Sequence, residues 1–251
     1  MKSNILLLGG AGTLGSRIIR SKIFPDLKYP SKKILNILNR NKIEKYLLKK
    51  NINLILHCAA LARVKDCELN KNKAKKININ GTKNIVKSIL KIKKNKKKDI
   101  KLVFISSDAV YPSTRGNYKE TDRVSPYNVY GQTKLKGEKI VKKLKNYIII
   151  RTRFFDKRKI PFKYSAVNIY TSSLEVAKLV KYISILVKKK FQGTINVGGP
   201  KISDYKKYKK YNKSLKPCDK NKILNELNFK IATDASLNIS KLKKFLWIKF
   251  L

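Results

Sequence analysis

An α/β fold built on a parallel sheet is predicted by three observations on this 251-residue chain. Short apolar runs alternate with longer amphipathic, lysine-rich stretches, the pattern of successive βα units. The runs are almost continuously apolar, as expected of strands covered on both faces. Four of the eleven glycines fall within residues 9–15, between the first run and the first amphipathic stretch.

The runs are residues 5–8, 34–38, 54–58, 102–105 and 147–150. Between them, the spacing predicts helices over 14–22, 43–50, 73–94 and 127–144. For the last of these, Ser125 is the expected N-cap and Pro126 the first helical residue. Beyond Arg151 the pattern loosens. A loop containing Pro161 leads to a helix over 174–189, then to a strand over 194–197 closed by Gly198-Gly199-Pro200. This organisation predicts a nucleotide-binding domain over 1–152 and a smaller, partly interwoven substrate lobe over 153–251.

The chain carries 61 Lys+Arg against 15 Asp+Glu, a formal charge of +46. Such a balance ordinarily suggests a polyanionic partner. Only nine of the basic residues are Arg, the side chain suited to bidentate phosphate and base contacts. The lysines are spread over the whole chain, and Lys, Asn and Ile together make up 104 residues. All three have A/T-rich codons, so compositional drift explains the charge without selection for nucleic acid. The run from Lys91 to Lys98 reads as a solvated helix end. Cys58, Cys67 and Cys218 are too few and too irregular for a disulfide framework or a metal site. The first strand begins at Ile5, leaving no room for a signal peptide, and no apolar run approaches the ~18 residues of a membrane span. A reducing, cytoplasmic setting is expected, with no membrane partner.

Gly9-Gly10-Ala11-Gly12-Thr13-Leu14-Gly15 has the strand–turn–helix setting in which a pyrophosphate approaches the backbone and meets free N–H donors. This predicts a Rossmann-type, doubly wound sheet binding a dinucleotide through Gly9, Gly12, Thr13, Leu14 and Gly15. With the second strand taken to end at Leu38, the ribose would meet Asn39 and Arg40. No carboxylate stands there to favour NAD, and Arg40 could receive a 2′-phosphate, so NADP is favoured over NAD.

Tyr130 and Lys134 lie one helical turn apart in Tyr130-Gly131-Gln132-Thr133-Lys134. The ammonium is expected to favour the phenolate and bring its pKa towards working pH. The spacing is not decisive, because Tyr29/Lys33, Tyr46/Lys50 and Tyr205/Lys209 repeat it. Position is. Only Tyr130/Lys134 follows a strand whose C-terminal end carries Ser106-Ser107-Asp108, where ligands of open α/β sheets bind.

With residues 9–15, four further segments run in order: His57-Cys58-Ala59-Ala60, Asn78-Ile79-Asn80-Gly81-Thr82, Phe104-Ile105-Ser106-Ser107-Asp108-Ala109-Val110-Tyr111, and Asn128-Val129-Tyr130 through Lys134 to Gly137-Glu138. Together they resemble extended short-chain dehydrogenases, and among them the dTDP-4-dehydrorhamnose reductase-like enzymes. A late Thr233-Asp234-Ala235-Ser236-Leu237-Asn238-Ile239-Ser240 looks like the same subgroup. The resemblance covers residues 4–152 and thins afterwards. It implies Ser107, Tyr130 and Lys134 as catalytic residues, with Tyr130 and Lys134 also touching the cofactor. Asn78 would support the lysine through a water, and Ala59 and Ala60 would line the cofactor. The implied activity is NAD(P)H-dependent reduction of a nucleotide-activated 4-keto-6-deoxy sugar, in a chain that could form a homodimer. The alternatives are an epimerase or dehydratase of the same fold, or a non-catalytic NAD(P)-binding regulator. His57 stands where the family usually has Asn, and reads as a strand residue.

Overall fold

The computed structural model describes residues 4–160, 162–225 and 232–247. Pro161, placed by the sequence in a loop, lies outside them. Six parallel strands form the central sheet: β1 (Ile5–Leu8), β2 (Leu27–Lys28), β3 (Leu54–His57), β4 (Lys101–Ile105), β5 (Tyr147–Thr152) and β6 (Gly193–Val197). Their spatial order is β6-β5-β4-β3-β1-β2, with every neighbouring pair parallel. Chain direction reverses across the sheet between β1 and β3, which opens the ligand crevice of a doubly wound fold at their C-terminal ends.

Side-chain alternation divides each strand between two cores. Ile5, Leu7, Leu56, Val103, Ile148 and Ile150 pack on one face against Leu14 and Ile18 of α1 (Thr13–Ser21). Val180 and Ile183 of the helix Val176–Lys188 complete that layer. Leu6, Leu8, Ile55, Leu102, Phe104 and Ile149 fill the other face with residues of α2 (Arg40–Lys49), α3 (Thr82–Lys96) and α4 (Val129–Val141). Near-continuous apolarity therefore did mark strands buried on both sides.

The second strand is not where the apolar run at 34–38 placed it. Leu27–Lys28 takes the edge beside β1, with Ile5 opposite Leu27 and Leu6 opposite Lys28. Residues 34–38 instead form turns: the N–H groups of Ile34 and Leu35 both donate to Ser31 O, and Leu38 N–H donates to the Asn36 side chain. Leu35 and Ile37 still reach the core while Ile34 is 64% exposed. Burial of Leu35 and Ile37 accounts for the apolar run; the hydrogen bonds are local.

Three boundaries also move. The helix expected over 73–94 begins as Lys71–Ala74, widens into a π-helical stretch at Lys75–Gly81 and continues as α3. Asn128, rather than Ser125, caps α4, its side chain accepting Gly131 N–H at 2.7 Å. Leu174–Glu175 is a short strand paired with Phe154–Phe155, and the helix starts at Val176 with Glu175 as its cap.

A buried polar cluster ties the middle of the sheet to α4. Glu138 accepts from Ser106 Oγ at 2.6 Å and from Arg151 Nη2 at 2.7 Å and Nε at 3.0 Å. Arg151 also donates to the Tyr111 hydroxyl at 2.8 Å, which donates in turn to Asn196 on β6. Removing one partner of such a pair strands the other's charge. Arg151→Met is therefore expected to lose about 3–5 kcal/mol of stability, with Arg151→Met/Glu138→Gln recovering part of it. Urea denaturation reads this; a loss under about 1 kcal/mol would show the cluster to be ornamental.

Candidate active site

The loop after β1 is shaped by what its glycines exclude. Gly9 has φ +92°, and a Cβ there would sit 2.6 Å from Ala59 N; one on Gly15 would sit 2.2 Å from Gly9 O. These two let β1, α1 and the chain after β3 close on one another. Gly12 differs. A Cβ there would meet only Gly9 O at 3.5 Å, so its open side faces a cavity. Gly12 also caps α1 without a side chain, leaving first-turn N–H groups without partners in the helix.

This cavity, of about 440 Å³, brings together most of the residues picked out by sequence: Gly9, Gly12, Thr13, Leu14, Gly15 and Ala60 with Ser107, Tyr130 and Lys134. Ser107, two residues past β4, caps the short turn Asp108–Val110, accepting Ala109 N–H at 3.1 Å. Its hydroxyl donates to Asp108 Oδ1 at 3.1 Å and lies on the Tyr130 side of the cavity, where it favours the ionised phenol. Tyr130 shares that cavity because α4 presses against the turn. A Cβ on Gly131 would lie 2.1 Å from Ala109 O.

Burial first, and the Asp108 carboxylate second, push the Tyr130 phenol up to about 12. That is opposite to the lowering expected from Lys134, and it keeps Tyr130 a neutral hydroxyl with a proton to donate. Lys134 is 3% exposed, with its Nζ 4.0 Å from the Phe104 ring centre. Burial brings it down to about 8, against the opposing pull of Glu138 one turn away.

Asp108, Arg153, Tyr127 and Tyr208 complete the cavity and were not singled out as site residues by sequence. Arg153 Nε donates to Asp108 Oδ2 at 2.6 Å, so Asp108 joins Arg153 to Ser107. Tyr208 arrives on the helix Asp204–Lys209, far along the chain. The Ser-Ser-Asp run was a usable signal for Asp108; Arg153 and Tyr208 are brought in by tertiary packing.

Other expectations fall elsewhere. Asn39 caps α2, accepting Lys42 N–H, and Arg40 pairs with Glu44 at 2.7 Å. Both follow from the displaced second strand: the segment after the observed β2 is Tyr29 to Lys32. Asn78 is buried with its amide engaged, accepting Leu61 N–H at 2.8 Å and donating to Leu61 O at 3.0 Å and Thr133 Oγ1 at 2.9 Å. It fixes the chain after β3 against α4. His57 bonds Thr82 Oγ1 at 3.0 Å, and burial drives it down to about 3, so it is a neutral strand residue.

A second cavity of about 830 Å³ shares Gly9 and Ala60 with the first. Ala59, Tyr29, Ser31, Lys32, Lys73 and Lys76 are among its lining residues. Two adjoining cavities meeting over an open glycine loop at a helix N-terminus fit an extended dinucleotide.

The family model described as "RmlD substrate binding domain" matches residues 1–174. The chain belongs to that family. Among curated relatives, methionine adenosyltransferase 2 subunit beta of Bos taurus is 34% identical over 107 residues, covering 43% of this chain and 30% of that protein. The match thus spans well under two thirds of that relative. A crystal structure described as a hypothetical dTDP-4-dehydrorhamnose reductase from Sulfolobus tokodaii is 28% identical, with a TM-score of 0.80, covering 98% of this chain and 96% of that one. The dTDP-4-dehydrorhamnose reductase of Bacillus anthracis str. Ames, in complex with NADP, has a TM-score of 0.87 at 24% identity, covering 100% and 94%. These likenesses place the RmlD-type chain on a Rossmann fold.

The glycine geometry separates folding from binding. Gly12→Val is expected to keep the wild-type melting temperature yet lose the upward shift given by NADPH, since its side chain enters the cavity. Gly15→Val should not fold, having backbone in its way. Equal NADPH shifts in wild type and folded Gly12→Val would remove the loop from the site.

Lys134 carries a second expectation. Its folded pKa of about 8 lies below its ordinary 10.5, so between these values the unfolded chain binds more protons. Stability from this group therefore rises as pH climbs through that window. Lys134→Met should be stabilised relative to wild type near pH 7.5, with the gain shrinking towards pH 10.5. A difference independent of pH would show that Lys134 is not held in a depressed state.

Proposed function

We propose that the chain is an NAD(P)H-dependent oxidoreductase, NADP favoured, reducing the 4-keto group of a nucleotide-activated 6-deoxy sugar. One observation carries this reading: the hydroxyls of Ser107 and Tyr130, with Lys134, share a cavity with the open face of the glycine loop. The likeness to reductases across nearly the whole chain supports it. Residues 1–152 would hold the dinucleotide and the segments beyond Arg153 would enclose the sugar. The unbridged thiols of Cys58 and Cys67 fit a cytoplasmic setting.

When bound, the dinucleotide supplies the hydride. The chain's own groups do the rest. Gly12 and the first-turn amides of α1 would hold the pyrophosphate, with Ala59 and Ala60 lining the adjoining cavities. Tyr130, neutral up to about pH 12, donates its hydroxyl proton to the carbonyl oxygen as that oxygen gains charge. Ser107 turns its O–H from Asp108 to the same oxygen, while the Arg153–Asp108 pair keeps the serine in place. Lys134 supplies positive charge beneath the site, offsetting the tyrosinate that remains.

An epimerase or dehydratase is less well supported. Ala109 follows Asp108 where a second acid would stand, and Asp108 is held by Arg153. A non-catalytic reading has a specific observation behind it, the 34% identity to a protein named as a subunit of an adenosyltransferase. Tyr130→Phe decides between them. Turnover of nucleotide-4-keto-sugars, followed at the nicotinamide absorbance, should fall by roughly 10²–10⁴ with the NADPH melting shift intact. Tyr46→Phe and Tyr205→Phe should leave it unchanged. A wild type that binds NADPH but reduces no substrate would favour the regulatory reading.

A further inference from the structure

We propose that Lys32, Lys73 and Lys76 form the subsite for the 2′-phosphate of NADP, resting on the dinucleotide reading above. All three line the second cavity, beyond the glycine loop from Ser107 and Tyr130. Lys32 lies just after the observed β2, where the adenosine ribose of a doubly wound fold is met. Lys73 and Lys76 enter from the helical segment after β3. They are three residues apart, across the junction of Lys71–Ala74 with the π-helical stretch, and so share one side of it.

Charge points to the ligand. No Asp or Glu lines this cavity, so nothing there would accept both ribose hydroxyls in the manner that selects NAD. None of the three lysines makes an ion pair among the described residues. All are exposed at the cavity rim, so their ammonium groups are available at little desolvation cost. Arg40 is the opposite case: its guanidinium is paired with Glu44, and it does not line the cavity. Ser31, also on the lining, adds a neutral hydroxyl. Three point charges around one opening suit a phosphate dianion, which lysine binds as a charge rather than through a fixed fork.

The test uses fragments that differ by one phosphate and lack the nicotinamide. Calorimetric titration with 2′,5′-ADP and 5′-AMP is expected to show 2′,5′-ADP binding roughly tenfold tighter or more, with the preference shrinking as salt is added. Lys32→Ala/Lys73→Ala/Lys76→Ala should abolish the preference and leave 5′-AMP affinity as in wild type. Replacing the three by Arg should keep it, as should Arg40→Ala. Retention of the preference in the triple alanine variant, or its loss in Arg40→Ala, would overturn the assignment. Equal binding of the two fragments to wild type would overturn it too, while leaving dinucleotide binding standing. No binding of either fragment, with no melting shift from NADPH or NADH, would remove both.

Discussion

The carboxylate of Glu138 is where the sheet, α4 and the candidate site are joined. It lies one turn from Lys134 on α4, accepts a hydrogen bond from Ser106 beside Ser107, and accepts from Nε and Nη2 of Arg151 on β5. A buried carboxylate is tolerable only when its lone pairs are filled, so these three elements have one relative position that satisfies it. In that position Gly131 meets the Asp108–Val110 turn, and Tyr130 shares the cavity with Ser107. The site is thus aligned by a polar contact beneath it rather than by its own hydrogen bonds.

Charge in this protein divides into two populations. Most of the 52 lysines are exposed and need only solvent. Lys134 and Lys207 are buried and have defined neighbours: Phe104 and Glu138 for the first, Asp204 and Thr171 for the second. Composition obscures this distinction, since a chain so rich in lysine repeats every spacing that a functional lysine has. Burial restores it.

What the sequence disclosed and what it concealed follow from the range of the forces involved. β1, β3, β4 and β5 were legible because strands covered on both faces are written locally as apolar runs. Gly9, Gly12, Gly15, Ser107, Tyr130 and Lys134 were legible because one loop and two adjoining elements place them. The edge strand was concealed: two residues, Leu27 and Lys28, carry no pattern, while the turns at 34–38 mimic one by burying Leu35 and Ile37. That single displacement drew attention to Asn39 and Arg40 and away from Lys32. Arg153 and Tyr208 depend on packing between distant segments, and the π-helical widening at Lys75–Gly81 has no composition of its own.

The strand β6 pairs with β5 along five residues, from Gly193 opposite Ile148 to Val197 opposite Thr152. The intervening chain first builds the small strands at Phe154–Phe155 and Tyr164–Ala166 and the helix Val176–Lys188. On a ribosome, the outer edge of β5 would therefore emerge with its hydrogen-bonding groups bare and wait for its last neighbour. That interval is a vulnerable one, because an apolar unpaired edge is a template for other chains. It is also evolutionary latitude. The loops of the excursion between β5 and β6 can lengthen or shorten without disturbing the register of that pair.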